Sequence, residues 1–265
     1  DPSNELVPSK RATLTLTYDS SIAQDAGKQM TVFFFDPDLK DWQNIGGVVD
    51  PKKHTIKVPF DRFGYYVVAK VGETYSDVIK HKYARDYIEA ILAKGVMNPM
   101  DPINSFGPDS YIKRGEFTSM IVKGLQIPLN FSGAKHFDDV SIPNTISADA
   151  LYDYRYIETA ARAGIVKGSQ PRIFMPEDVI TRQDAAVIIA KALNLKLETD
   201  HDKIMKNLSK TFKDADKIDY YAQASVLAIA KKGFITGSPV DASDPKKGYM
   251  FNPTSLTLRG DAAII

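Results

Sequence analysis

The sequence predicts an α+β chain: a short β region, then three copies of one helical unit. Three observations predict it. Between residues 12 and 69, apolar side chains alternate with polar ones or cluster in short runs bounded by Gly, Pro and Asp. From residue 71 the apolar positions take up a helical period. Two landmarks also keep a constant interval of 69 residues, as Tyr83, Tyr152 and Tyr221 and as Gly95, Gly164 and Gly233.

In the β region, the run from Ala12 to Tyr18 places Leu14, Leu16 and Tyr18 on one strand face and Thr13, Thr15 and Thr17 on the other. Further strands are expected at Met30–Phe35, Gly46–Val49, Thr55–Val58 and Tyr65–Ala69. About five strands in seventy residues, with no helical period, predict a small sandwich-like domain or part of one over residues 1–70. Trp42, the sole tryptophan, reads as an anchor at the core or rim of that domain rather than a sugar platform.

Each helical unit opens on an aromatic and an acid: Tyr75 with Asp77, Phe137 with Asp139, Phe212 with Asp214. These acids are expected to cap or turn the chain. A first helix follows with an apolar stripe, for example Tyr83, Tyr87, Ile88, Ile91 and Leu92. It stops at Gly95, Gly164 or Gly233, where a left-handed cap costs glycine least. Next come Phe106 with Pro108, Phe174 with Pro176 and Phe251 with Pro253. A second helix then starts at Lys113-Arg114-Gly115-Glu116, Thr181-Arg182-Gln183-Asp184 and Leu258-Arg259-Gly260-Asp261. One such unit cannot bury its stripe alone, so the three are expected to share a core. The units span residues 71–265, in repeats of about 71–129, 133–196 and 208–265, the last stopping early in its second helix.

Composition excludes several classes. With 34 basic and 33 acidic residues the net charge is +1, so bulk charge brings neither nucleic acid nor a membrane surface. No run approaches the roughly 18 apolar residues of a membrane span. Zero cysteines exclude disulfides and thiolate chemistry. His54, His81, His136 and His201 match no metal or catalytic spacing, and no phosphate loop, dinucleotide fingerprint or nucleophile elbow occurs. No cofactor, metal site or catalytic residue is therefore expected. The start at Asp1-Pro2 and the stop at Ile265 read as those of a piece of a longer protein.

The repeated residues resemble the S-layer homology domain, whose consensus runs Phe-x-Asp, a Trp-led helix, a Gly-Ile-x-x-Gly corner, Phe-x-Pro and Thr-Arg-Ala-Glu. The resemblance implies a pseudo-threefold helical bundle with grooves between repeats. It also implies a non-catalytic module that anchors exported proteins to the bacterial cell wall through secondary cell-wall polysaccharide, often pyruvylated. It carries polysaccharide contacts onto Arg114, Arg182 and Arg259 and onto the acids Glu116, Asp184 and Asp261. Thr181, the tyrosines 83, 152 and 221, and the corner glycines 95, 164 and 233 complete that set. This sequence departs from the consensus by placing tyrosine for tryptophan, Lys113 and Leu258 for threonine, and Pro99 for a corner glycine.

The residue chemistry suits such a ligand. A pyruvate ketal presents a planar carboxylate, which the arginine fork engages through two donors. A helix start adds free amides and the positive end of the dipole. Thr181 and Asp184 have capping-box spacing. The expected partner is thus a polysaccharide outside the cell, with copies of the chain in a lattice as a further partner. A protein-docking or self-assembly module that binds no polysaccharide is the alternative.

Overall fold

The computed structural model describes residues 10–22, 26–143, 147 and 149–265. Residues 1–9, with which the expected β domain begins, lie outside them. The chain divides into two units, one holding residues 1–108 and 123–127, the other residues 109–122 and 128–263. Among the described residues no helix is long and apolar enough to cross a membrane.

In the first unit, threonine-rich alternation forms β1 (Ala12–Thr17), with Leu14 and Leu16 inward and Thr13, Thr15 and Thr17 exposed. A short helix α1 (Ala26–Gln29) leads into β2 (Met30–Asp36), followed by β3 (Asp41–Gly46), β4 (Val48–Asp50), β5 (Thr55–Phe60) and β6 (Tyr66–Lys70). Antiparallel pairing orders them as β1-β5-β4 and β3-β2-β6. Met30, Val32, Ile56 and Val58, from both sheets, bury their side chains in one cluster with Tyr18. Each such aliphatic contributes about 1.5–3 kcal/mol. Strand β3 was not expected. Its Asp-Trp-Gln-Asn segment lacks alternation, and pairing with β2 holds it. Trp42 stands on β3, edge-on to Phe35 with ring centroids 5.4 Å apart and 43% exposed.

Helices α2 (Ser76–Ile79) and α3 (Arg85–Ala93), from the first repeat, belong to this same unit. Asn44 Nδ2 donates to Ala93 O at 2.9 Å. The Lys94 ammonium donates to Met30 O at 3.0 Å and Gly47 O at 2.9 Å. Burial pulls that ammonium below its ordinary pKa. Between the lowered value and about 10.4 the unfolded chain therefore holds the extra proton, so the penalty is relieved and stability rises as pH climbs through this window. Lys94→Met leaves two carbonyls without their donor and is expected to cost about 1–3 kcal/mol. Urea titration at neutral and alkaline pH checks both size and sign, because the wild-type advantage should widen at the higher pH.

The second unit carries α4 (Arg114–Gly124), whose residues up to Val122 lie in it, then α5 (Tyr154–Arg162), α6 (Arg182–Ala192), α7 (His201–Thr211) and α8 (Tyr220–Lys231). A minimal ribbon of β7 (Ser238–Pro239) and β8 (Tyr249–Met250) precedes α9 (Arg259–Ile264). The predicted glycine stops hold, with φ of +64° at Gly95, +71° at Gly164 and +75° at Gly233. After each, an amide bonds back five residues: Val96 to Ile91, Ile165 to Ala160 and Phe234 to Ile229.

The three second-helix starts interlock through their backbones. Ile112 N donates to Thr257 O, Thr257 N to Ile180 O, and Ile180 N to Ile112 O, which closes a ring. A second ring runs from Arg114 N to Asp178 O, Arg182 N to Ser255 O and Arg259 N to Ser110 O. These amides sit just ahead of or at a helix start and have no intrahelical acceptor, so each repeat supplies what its neighbour lacks.

Of the two roles expected of the opening acids, the structure shows turning rather than capping, and the turn each holds lies far along the chain. Asp77 accepts from the amides of Phe106 and Gly107, Asp139 from Phe174 and Met175, and Asp214 from Phe251 and Asn252. The second residue of each pair has positive φ: +77° at Gly107, +60° at Met175 and +56° at Asn252. Each carboxylate thus clamps a left-handed turn that seats a fully buried phenylalanine, at Phe106, Phe174 and Phe251.

Candidate polysaccharide-binding groove

The most developed site lies in the second unit, where parts of all three repeats meet. Arg114 projects from the start of α4. The corner Ile165–Ser169 follows α5, Asp184, Val187, Ile188 and Lys191 come from α6, and Tyr221 from α8. They line a cleft of about 520 Å³, a size typical of small-ligand clefts.

Local sequence sets each side chain. Arg114 Nε donates to Phe174 O at 3.1 Å and Nη2 to Lys167 O at 2.8 Å. Its guanidinium carbon lies 4.8 Å from the centre of the Phe174 ring. The Asp139 clamp therefore seats the phenylalanine, and the phenylalanine positions the arginine. Among the described residues Nη1 has no hydrogen-bond partner. Gly115 is needed beside it, because a Cβ there would stand 2.9 Å from the Tyr152 ring and 3.1 Å from Pro176. Gly168 turns the opposite wall, where a Cβ would come within 2.4 Å of Gln170 O.

Asp184 sits in the first turn of α6. Thr181 caps that helix, accepting from Asp184 N at 3.2 Å and donating to Asp184 Oδ2 at 2.6 Å. Tyr221 Oη donates to Asp184 Oδ1 at 2.6 Å. Tyr221 is placed by a tie between helices: Gln183 Nε2 donates to Asp219 Oδ2 at 2.7 Å, and Asp219 N donates to Gln183 Oε1 at 3.1 Å. Burial and the Asp184 carboxylate push the Tyr221 phenol up, so it stays a protonated donor.

The groove is short of negative charge. Burial pulls Arg114 down, with Asp184 opposing. Lys191 is lowered first by burial and then by the like charges of Lys167 and Arg114. Among the described residues Asp184 is the sole carboxylate lining the cleft, and it already accepts from Thr181 and Tyr221. An added anion would be favoured here.

The other residues predicted from sequence are divided. Arg182 repeats the Arg114 pattern: Nε donates to Phe251 O at 2.9 Å, and the guanidinium lies 5.5 Å from the Phe251 ring centre. Asp261, in the first turn of α9, opposes the burial that lowers Arg182. Arg259 and Glu116 differ from this pattern. They are 1% and 2% exposed and form a buried ion pair. Burial raises the Glu116 carboxyl while Arg259 opposes the shift. Tyr152 donates to Glu177, which also pairs with Lys113. Tyr83, in the first unit, is exposed and stacks edge-on against His81 at 4.6 Å. Gly95 backs onto Asn44, whereas Gly164 and Gly233 face open space.

Sequence reasoning missed Lys167 and Lys191. The signal was present: Lys167 lies inside the corner between Gly164 and Gly168, and Lys191 falls on the Asp184–Val187 face of α6. No group of three or more potential metal ligands occurs among the described residues.

Comparison with known proteins agrees with this repeat structure. The S-layer homology domain model matches residues 74–118, 146–186 and 211–263, together more than half the chain. An amylopullulanase of Thermoanaerobacterium thermosulfurigenes is 30% identical over 232 residues, 87% of this chain and 12% of the relative. The S-layer protein EA1 of Bacillus anthracis is 26% identical over 74% of this chain and 20% of its own length. The exoglucanase XynX of Acetivibrio thermocellus is 28% identical over 75% of this chain and 16% of its own. The chain thus spans at most a fifth of these relatives, which bear the names of an S-layer protein and of enzymes. Three matched segments, each with its glycine corner and arginine-led helix, place the chain in the S-layer homology domain family.

Proposed function

We propose that the chain is a non-catalytic anchoring module that binds an anionic, pyruvylated secondary cell-wall polysaccharide on the outer surface of a bacterium. The observation that carries this reading is the Arg114 groove: a fork fixed by Phe174, with one nitrogen unpartnered and two further cations nearby. A carboxylate on a sugar meets that fork in the plane it needs, and the Tyr221 face offers a surface for the ring. Arg182 on Phe251 supplies a second station of the same design. Within the second unit, the two backbone rings support the threefold relation of the repeats, and the apolar cluster shared by both sheets supports a sandwich-like domain within residues 10–70.

Sedimentation with purified wall sacculi tests the reading. The chain is expected to pellet with intact sacculi and to stay in solution once the polysaccharide has been stripped. Equal pelleting before and after stripping would overturn it. Assembly that depends on concentration alone, with no pelleting, would identify a self-assembly module instead.

A further inference from the structure

Helix α8 opens on an aspartate that does not cap it. Asp219 stands at the N-cap position, yet among the described residues its carboxylate takes no amide of α8. An aspartate there ordinarily accepts from an early amide of its own helix. Asp153 does so at the start of α5, from Arg155 N at 2.8 Å. Asp219 Oδ2 instead accepts from Gln183 Nε2 at 2.7 Å, and Asp219 N donates to Gln183 Oε1 at 3.1 Å. Gln183 is 3% exposed, so both ends of a buried amide are committed to this one residue.

The chain contains its own comparison. One repeat earlier the equivalent positions hold Gly115 and Ala150, whose side chains offer no hydrogen bond. There α5 begins at Tyr154, ten residues ahead of its corner Gly164, whereas α8 begins at Tyr220, thirteen ahead of Gly233. Tyr152 accordingly precedes its helix. It lies against Gly115, where a Cβ would stand 2.9 Å from its ring, and donates to Glu177. Tyr221 falls inside the first turn of α8 and donates to Asp184 Oδ1 at 2.6 Å.

We infer that Gln183 is a positioning residue of the Arg114 groove: through Asp219 it fixes where α8 begins, and so sets the Tyr221 ring and hydroxyl beside the ligand. The inference rests on the polysaccharide reading for what meets Tyr221, but the tie is a property of the chain alone. Two hydrogen bonds hold Asp219, two residues from Tyr221, at a helix end that would otherwise fray. Gln183 is not among the residues lining the cleft, so its effect on a ligand passes through Tyr221.

Nitration by tetranitromethane, resolved by peptide mass spectrometry, reads the tie in the free full chain. The reagent attacks the phenolate, a form that burial and the Asp184 carboxylate disfavour at Tyr221. Tyr221 is therefore expected to react at least about tenfold more slowly than the exposed Tyr220. Gln183→Ala and Asp219→Ala should each bring Tyr221 close to the Tyr220 rate and leave Tyr152 unchanged. Gln183→Glu combined with Asp219→Asn exchanges the two groups. The asparagine amide then donates to the new carboxylate, and the slow rate should return. In pelleting with intact sacculi, Gln183→Ala should weaken binding about three- to tenfold, and the exchange should restore it. The loss should vanish in an Arg114→Ala background, because both changes then act on one station. Asp219→Ala, at an exposed position, keeps the test decisive if Gln183→Ala fails to fold. An unchanged Tyr221 rate in the single variants, or Tyr152 accelerating alongside it, overturns the inference. So does an equal loss of binding in both backgrounds, or an exchange that restores folding without binding. Should nitration follow this pattern while the native chain leaves intact sacculi unbound, the tie stands and the polysaccharide reading falls.

Discussion

Alanine at Arg114 is expected to weaken binding to polysaccharide-bearing sacculi by about 10- to 100-fold. A hydrogen bond to a charged group is worth about 1.5–3 kcal/mol, and each 1.4 kcal/mol is about tenfold in affinity. Lysine at the same position keeps the charge but loses the planar fork, the Phe174 stacking and the simultaneous bond to Phe174 O. Its affinity should fall between wild type and alanine. Arg182→Ala should give a loss of the same order, because its guanidinium is held in the same way on Phe251. The double variant should lose pelleting altogether, since a polymer bridging two stations multiplies their affinities. A pelleting isotherm for each variant supplies the numbers. Wild-type binding by the double variant would exclude both arginines from the site. A urea titration alongside separates binding from stability, because Arg114→Ala also removes two backbone contacts inside the unit.

How much of this was legible in the sequence depends on the distance over which each feature is decided. The strand faces of β1, the glycine stops and the Thr181 cap rest on neighbours within a few residues, and the structure places them as local patterning dictates. The 69-residue interval marked the repeats because identical units leave identical spacings. The opening acids were legible in position and as turn formers, but not in which turn each one holds. Their partners lie 29 to 38 residues onward, at the buried phenylalanine and the left-handed residue after it. Glu116 and Arg259 are 143 residues apart, and nothing in either local motif announces a buried pair. The motif located three equivalent arginines, and packing buries Arg259 while leaving Arg114 and Arg182 half-buried. Strand β3 was hidden for a related reason, since its pairing with β2, rather than its own alternation, makes it a strand.

The three opening acids also provide an internal measure of what burial adds to one geometry. Asp214 is 2% exposed and accepts from Phe251 N at 2.7 Å and Asn252 N at 2.8 Å. Asp139 makes the same bonds at 2.9 and 2.7 Å but is exposed to water. Asp214→Ala strands two amides at a site water barely reaches and removes the restraint on a left-handed asparagine, so it is expected to cost about 3–5 kcal/mol. Asp139→Ala leaves amides that water can satisfy in part, and about 1–2 kcal/mol is expected. Asparagine at 214 keeps one accepting oxygen and should recover about half of the loss. Chemical denaturation of the three variants checks the order, and equal losses at 139 and 214 would sink the burial argument. The consequence also reaches the binding stations. The carbonyl of Phe251 holds Arg182 Nε, so freeing the turn at Asp214 loosens the arginine as well as the fold. Asp214→Asn should accordingly weaken sacculus binding more than its stability loss explains. An Asp77→Asn control should leave binding unchanged at equal folded fraction, because the turn held by Asp77 carries Phe106, and neither Arg114 nor Arg182 donates to that carbonyl.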